Sequence, residues 1–316
     1  MRHNKKLLIL SFSAIILCVL FVVIGLNSNN LSYALSRRIP KVIAIVLTGA
    51  SIAFSSVIFQ TISQNHILTP SVIGLDSLYM LIQTIIVFLF GSSNLFLTDK
   101  KLNFFLSLIT MLCFTGILYK FLFKKGSKNI FFLLLVGLVF GTLFESLTSF
   151  MQVVIDPNEF QTLQNKMFAS FNNVNTNVLF ISLIIVVLVF AYVYEHLDTL
   201  DVMLLGREHS INLGVDYDNI VKKMLICVAI LVSVATALVG PITFLGLLVV
   251  NIARQMLPTY KHKHLFSASI LISIVALIGG QLIVERYMNF GTTVSVIINF
   301  VGGIYFIYLL LKERSV

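Results

Sequence analysis

An all-helical protein that crosses a membrane about ten times is what this sequence predicts, on three observations. Hydrophobic residues make up 58% of the 316 and charged residues only 11%, whereas a soluble domain carries about 25% charged residues. Mean hydropathy is +0.99. The apolar residues are also gathered into runs near the roughly 20 residues that a helix needs to cross hydrocarbon, so the useful count is of spans and not of soluble domains.

Taken in order, the expected spans are Leu7–Leu26, Ile39–Ile62, Val72–Gly91, Leu102–Phe123, Ile130–Ile155, Val178–Tyr194, Val221–Val239, Ile242–Met256, Leu265–Val284 and Thr293–Leu311. The first follows a basic stretch, Met1 to Lys6, and could pass for a secretory signal. Its apolar run is too long for that and no small-x-small cleavage site follows, so it is read as a span. The eighth starts at Gly240-Pro241 and ends near Pro258, too short to cross the full hydrocarbon unless protein surrounds it. Gly and Pro interrupt the chain at Pro70 and Gly74 and again at Gly240 and Pro241, which hints at paired halves.

Basic residues stay on the cytoplasmic side. With the N-terminus inside, that side holds Arg2, Lys5, Lys6, Lys120, Lys124, Lys125, Lys128, Arg207, Lys222, Lys223, Arg254, Lys261, Lys263, Lys312 and Arg314. Arg37, Arg38, Lys41, Lys100, Lys101, Lys166 and Arg286 fall outside, a minority of the 22. Both termini are therefore expected in the cytoplasm. The net charge of +9 suits anionic inner-leaflet lipid and gives no reason to invoke nucleic acid.

Between the sixth and seventh spans lies a polar island, about residues 195–223, rich in Glu, Asp, Arg and Lys. Gly206 and Gly214 divide it into two pieces, Thr199 to Leu205 and Arg207 to Leu213, each one or two helical turns. It reads as a structured cytoplasmic loop or, equally, as a solvated connector.

Chemistry-bearing patterns are scarce. There is no phosphate-binding loop, no His-Glu-x-x-His and no nucleophile elbow, so an enzymatic site is not expected. The histidines lie near span ends or in loops, where a solvated role outweighs metal ligation, and no resident metal is expected. Cys18, Cys113 and Cys227 fall in apolar runs as packing residues. Inside the spans Glu145 stands out, because a charge at a helix centre costs about 2.5–3.5 kcal/mol on insertion scales. It either lines a pathway or sits hydrogen-bonded between helices near Ser146, Thr148 and Ser149. Asp76 and Glu285, nearer span ends, are expected to snorkel to water.

Four stretches, in this order, resemble the permease subunits of ABC importers for iron-siderophore, haem and cobalamin, the FecCD-type family. They are RIPKVIAIVLTGASIAFSSVIFQTISQN from Arg38 with Pro70 and Ile73-Gly74 after it, LLLVGLVFGTLFESLTSF from Leu133, MLLGREHSINLGVD from Met203 and GPITFLGLLVVNIAR from Gly240. The match covers nearly the whole chain as one transmembrane domain, residues 1–316. The resemblance implies a type II importer permease in a bacterial plasma membrane that moves an intact ferric siderophore inward by alternating access. It implies a second permease subunit, a cytoplasmic ABC ATPase dimer that binds the ATP, and an extracellular substrate-binding lipoprotein, with no cofactor in this chain. By the same resemblance Leu205, Gly206, Arg207, Glu208, Leu213 and Gly214 couple to the ATPase, and Arg38, Lys41 and Arg286 receive acidic residues of the binding protein, with Pro40 bending the chain between the first two.

Two departures narrow the branch. The eighth helix carries Val250-Asn251-Ile252-Ala253-Arg254 where many members have Pro-His before Ala-Arg, and Met288-Asn289-Phe290-Gly291-Thr292 replaces Glu-Leu-Pro-Val-Gly. Such departures look like the branch for ferric siderophores, often catecholates, with two different permease chains. Haem and cobalamin carriers remain alternatives, as does a proton- or sodium-coupled transporter working through Glu145.

Overall fold

A computed structural model describes residues 2–24, 31–124, 130–172 and 174–313. Leu26, the expected end of the first span, and Lys125, Lys128 and Arg314 of the basic side lie outside them. The described residues form helices joined by short turns: α1 (Arg2–Val23), α2 (Leu31–Ser63), a 3-10 turn (Pro70–Ile73), α3 (Leu75–Phe90), α4 (Leu95–Thr98), α5 (Lys100–Lys124), α6 (Ile130–Val154), α7 (Pro157–Met167), α8 (Thr176–Tyr194), α9 (Leu197–Met203), α10 (Arg207–Asn212), α11 (Tyr217–Val239), α12 (Leu245–Met256), α13 (His262–Arg286) and α14 (Val294–Glu313). Among these residues eight helices are long and apolar enough to span a membrane, and α3 and α12 are shorter apolar helices. Each of the ten expected spans thus has its helix.

The centre of the bundle is α2, packed by α11, α13 and α12, while α1 lies on α13 and α3 on α6. Small residues permit this. A side chain at Gly49 would collide with Ser273 of α13, and one at Gly246 with Ser56 of α2. Close backbone approach through small residues is the usual substitute for hydrophobic driving force between helices in lipid.

The interruptions read from the sequence are real and come in a pair. Pro70–Ile73 forms the 3-10 turn, Gly74 takes φ +86°, and α3 then runs for only 16 residues, about 24 Å. The expected span Val72–Gly91 is therefore a turn followed by a short helix. In the second half Gly240 takes φ +105° and α12 has 12 residues, about 18 Å. Neither reaches across about 30 Å of hydrocarbon; most of α12 is buried, and α3 is buried along its first three turns. The turn at Pro70 packs so closely on α6 that a Cβ at Gly137 would come 2.8 Å from the Val72 carbonyl oxygen.

Three local expectations need correction. First, α2 starts at Leu31, well before the expected Ile39, and runs unbroken through Pro40, so the bend expected between Arg38 and Lys41 falls inside a helix. Arg37 and Arg38 end the apolar window, but Leu, Ala and Arg are good helix formers. Second, α7 is absent from the span reading because it is amphipathic. Its signal is Asp156-Pro157, where the Asp156 side chain accepts the Asn158 N–H at 2.9 Å and Pro occupies the first helical position. Third, the polar island is shifted slightly, to α9 and α10, with Gly206 between them at φ +90° and Gly214 closing at φ +86°.

Candidate functional site

The two ends of α13 separate two clusters of polar residues by about 37 Å, the length of a 25-residue helix. At its N-terminal end the short helices α9 and α10 are fastened to the bundle. The Asp201 carboxylate accepts the His262 backbone N–H at 2.7 Å and lies 2.6 Å from His262 Nδ1. His262 Nε2 is 2.8 Å from Thr61 Oγ1, which also donates to the Val57 carbonyl at 2.9 Å. Thr61 has one proton to give. When it goes to Val57, both ring nitrogens donate and the imidazolium is balanced by Asp201; when it goes to the ring, His262 is neutral. Gln64 adds a bond from Nε2 to the Met203 carbonyl at 2.7 Å. Gln64, the residue after α2, thus holds the end of α9 directly.

His262 is fully buried, contrary to the solvated role expected of it, because its partners lie 61 and 201 residues away. His66, by contrast, is exposed as expected, although local desolvation, then the Arg254 charge, holds its pKa below the ordinary imidazole value.

α10 is held more lightly. Ser210, buried, has its hydroxyl 2.7 Å from the Gly206 carbonyl and 3.1 Å from that of Val202, which share its one proton, and Arg207 pairs with Asp218 at 3.2 Å. Its outer face leaves Leu205, Ile211 and Leu213 exposed beside Arg207 and Glu208. Exposed large apolar residues framed by charges make a surface suited to a protein partner. Gly206 and Gly214 carry no neighbour within 4 Å of a Cβ position, so their requirement for glycine is conformational.

At the other end the structure brings Arg38, Lys41 and Arg286 together around the C-terminus of α1. Arg38 donates to the Val22 and Ile24 carbonyls at 2.7 and 2.8 Å, and Arg286 also donates to Ile24. Terminal carbonyls lack intrahelical donors and sit at the negative end of the helix dipole, so two guanidiniums are a natural cap. Lys41 Nζ lies 2.6 Å from the Glu285 carboxylate, both side chains 14% exposed. Glu285 does not snorkel; it also accepts from Gln281 at 2.8 Å.

Glu145 is exposed on α6, in line with Thr142, Ser146 and Ser149, and accepts from Ser77 Oγ at 2.9 Å. Residues at i, i+3, i+4 and i+7 share one helix face. A polar stripe containing a carboxylate is costly against lipid, so this face suits water or protein. Asp76 does not snorkel either. It is the second residue of α3 and faces a small internal cavity, where Thr236 of α11 donates to it at 3.3 Å.

Comparison with known proteins agrees with this architecture. Residues 6–312 match the model of the FecCD transport family. The chain is 61% identical to the petrobactin import system permease protein YclO of Bacillus subtilis, covering 100% of this chain and 99% of that one. It is 28% identical to YclN, another petrobactin import system permease protein of that bacterium, over 98% and 99%. A solved structure described as an inward-facing metal-chelate type ABC transporter superposes with a TM-score of 0.84 over 98% of this chain and 99% of that one, at 19% identity.

Proposed function

The chain belongs to the FecCD transport family, and from that premise we propose that it is one permease subunit of an ATP-driven importer of a ferric siderophore of the petrobactin, catecholate type. The observation that carries this is 61% identity over the full length to a permease of that system. The chain is an integral membrane protein. Its second permease is a different chain, as YclO and YclN differ in the relative's bacterium. The ATPase pair binds at the α9–α10 end, which faces the cytoplasm together with both termini. The α1 N-terminus supports that side: Lys6 donates to the Met256 carbonyl at 2.7 Å and His3 stacks on His264, beside His262. A lipoprotein receptor that delivers the chelate docks at the Arg38–Arg286 end.

Deleting the gene is expected to abolish uptake of iron-labelled ferric petrobactin while leaving ferric hydroxamate uptake intact, and depleting ATP with the proton gradient preserved should stop it too. Uptake that persists without ATP would overturn the reading.

In this mechanism Glu145 and its hydroxyl stripe line the pathway between the two permeases. The Glu145→Cys variant is expected to react with small aqueous thiol reagents in at least one nucleotide state, and Glu145→Gln to slow uptake. Complete protection in every state, with normal uptake by Glu145→Gln, would return Glu145 to a purely structural role.

A further inference from the structure

The two interrupted segments meet at a small, partly open cavity. Its walls come from the Pro70 turn and the first turn of α3, from the chain entering α12, and from α2 and α11, and its volume is about 20 Å³. That is room for one water-sized occupant. The lining is rich in oxygen: the Asp76 carboxylate and the hydroxyls of Ser56, Thr69, Ser71, Thr236 and Thr243.

Three features of this cavity point to a ligand. Ser56 is fully buried, lines the cavity, and its hydroxyl has no hydrogen-bond partner. A buried hydroxyl left unpaired costs about 1–3 kcal/mol, so something should meet it. Asp76 has no Lys, Arg or His among its ion-pair partners in the described residues; hydroxyls of Thr236 and Ser71 meet it instead, and a carboxylate without a counter-charge among membrane helices is costly. Finally, the Asp76 Oδ1 to Thr236 Oγ1 distance is 3.3 Å, long for O–H···O, which favours about 2.7–2.8 Å. Oxygens about 2.3–2.6 Å from a hard cation in a six-fold shell lie about 3.3–3.7 Å apart at adjacent corners. The long hydrogen bond thus has the spacing that two ligands of one ion would also have.

We propose that this cavity binds a single dehydrated sodium ion, held by Asp76, Thr236, Ser56 and Ser71, with Thr69 and Thr243 completing the shell. Hard oxygen donors select an alkali or alkaline-earth cation over a transition metal, and the described residues hold no cluster of three or more His, Cys, Asp or Glu. One carboxylate balances one positive charge, so a monovalent ion leaves the interior neutral, whereas a divalent ion would bury a net charge. Broken helices that gather around a cation site near mid-membrane are a known use of such interruptions. Here the ion ties both interruptions to α2 at Ser56, little more than one turn before Thr61, which meets the α9 fastening. It is a resident ion, not the driving ion of transport.

The test is thermal unfolding of the purified full-length chain in detergent, in sodium, potassium or choline chloride at equal ionic strength. Sodium at about 100 times its dissociation constant is expected to raise the midpoint by several degrees over choline, with potassium giving little. Asp76→Asn should abolish the sodium-specific rise, and Ser56→Ala should move the sodium concentration for half the effect upward by about tenfold. If Asp76→Asn fails to fold, Thr236→Val and Ser56→Ala carry the comparison. Equal midpoints in sodium and choline, an equal rise in potassium, or a sodium-specific rise that survives all three substitutions would overturn the proposal. The readout is stability, so it stands or falls apart from the transported chelate.

Discussion

Gly206→Val is expected to reach the membrane at the normal level and to lose about nine-tenths of its ATP-driven uptake. Gly206 has φ +90° and ψ 170°, a region essentially restricted to glycine, and forcing another residue there costs about 1–3 kcal/mol. A Cβ would meet nothing within 4 Å, so the loop has space to relax instead of unfolding the bundle. What relaxes is the angle between α9 and α10. α9 is tied down through Asp201–His262 and Gln64–Met203, so α10 moves, carrying Arg207, Glu208, Leu213 and Gly214 out of register with the proposed ATPase partner. A bistable channel responds to its motor only through contacts that differ between the motor's states. Coupling should therefore fail while hydrolysis by the assembled ATPase continues, and Glu208→Lys should do the same to a smaller degree. The measurement is uptake and ATP hydrolysis in one reconstituted preparation. Uptake at the normal rate per ATP would remove α10 from the coupling path.

The second large effect is expected from Arg38→Glu combined with Arg286→Glu, which should weaken receptor docking by about 30-fold. An exposed ion pair contributes about 0.2–1 kcal/mol. Reversal replaces attraction by repulsion, so two positions give about 2 kcal/mol, most of it in the association rate and its salt dependence. Lys41 should matter less, because Glu285 already neutralises it. Both arginines also cap α1, so a neutral control is needed. Arg38→Gln with Arg286→Gln keeps donors for the carbonyls and should lower affinity only a little. Acidic-to-basic changes on the receptor lobes should restore binding to the double reversal. Unchanged affinity and salt slope would leave these residues as helix caps alone.

The membrane class, the ten apolar helices, the paired interruptions at Pro70–Gly74 and Gly240-Pro241, and the division of the polar island at Gly206 were all determined by the sequence itself. Each is a local property: hydrocarbon demands a run of apolar residues in one stretch of chain, and glycine's left-handed conformation is set by its own missing Cβ. The surrounding fold was needed for everything that depends on who meets whom. Asp76 looks like a snorkelling residue in its own segment and faces Thr236, 160 positions away. His262 looks solvated and is buried against Asp201 and Thr61. Lys41 looks free and is paired with Glu285, 244 positions on. Amphipathic α7 escaped for a related reason, since its stability comes from a cap and from Leu163 packed below, not from hydropathy. A charged side chain near a helix end can satisfy itself with water, a headgroup or another side chain. Those options have similar local cost, and only the packing of distant helices decides which one is within reach.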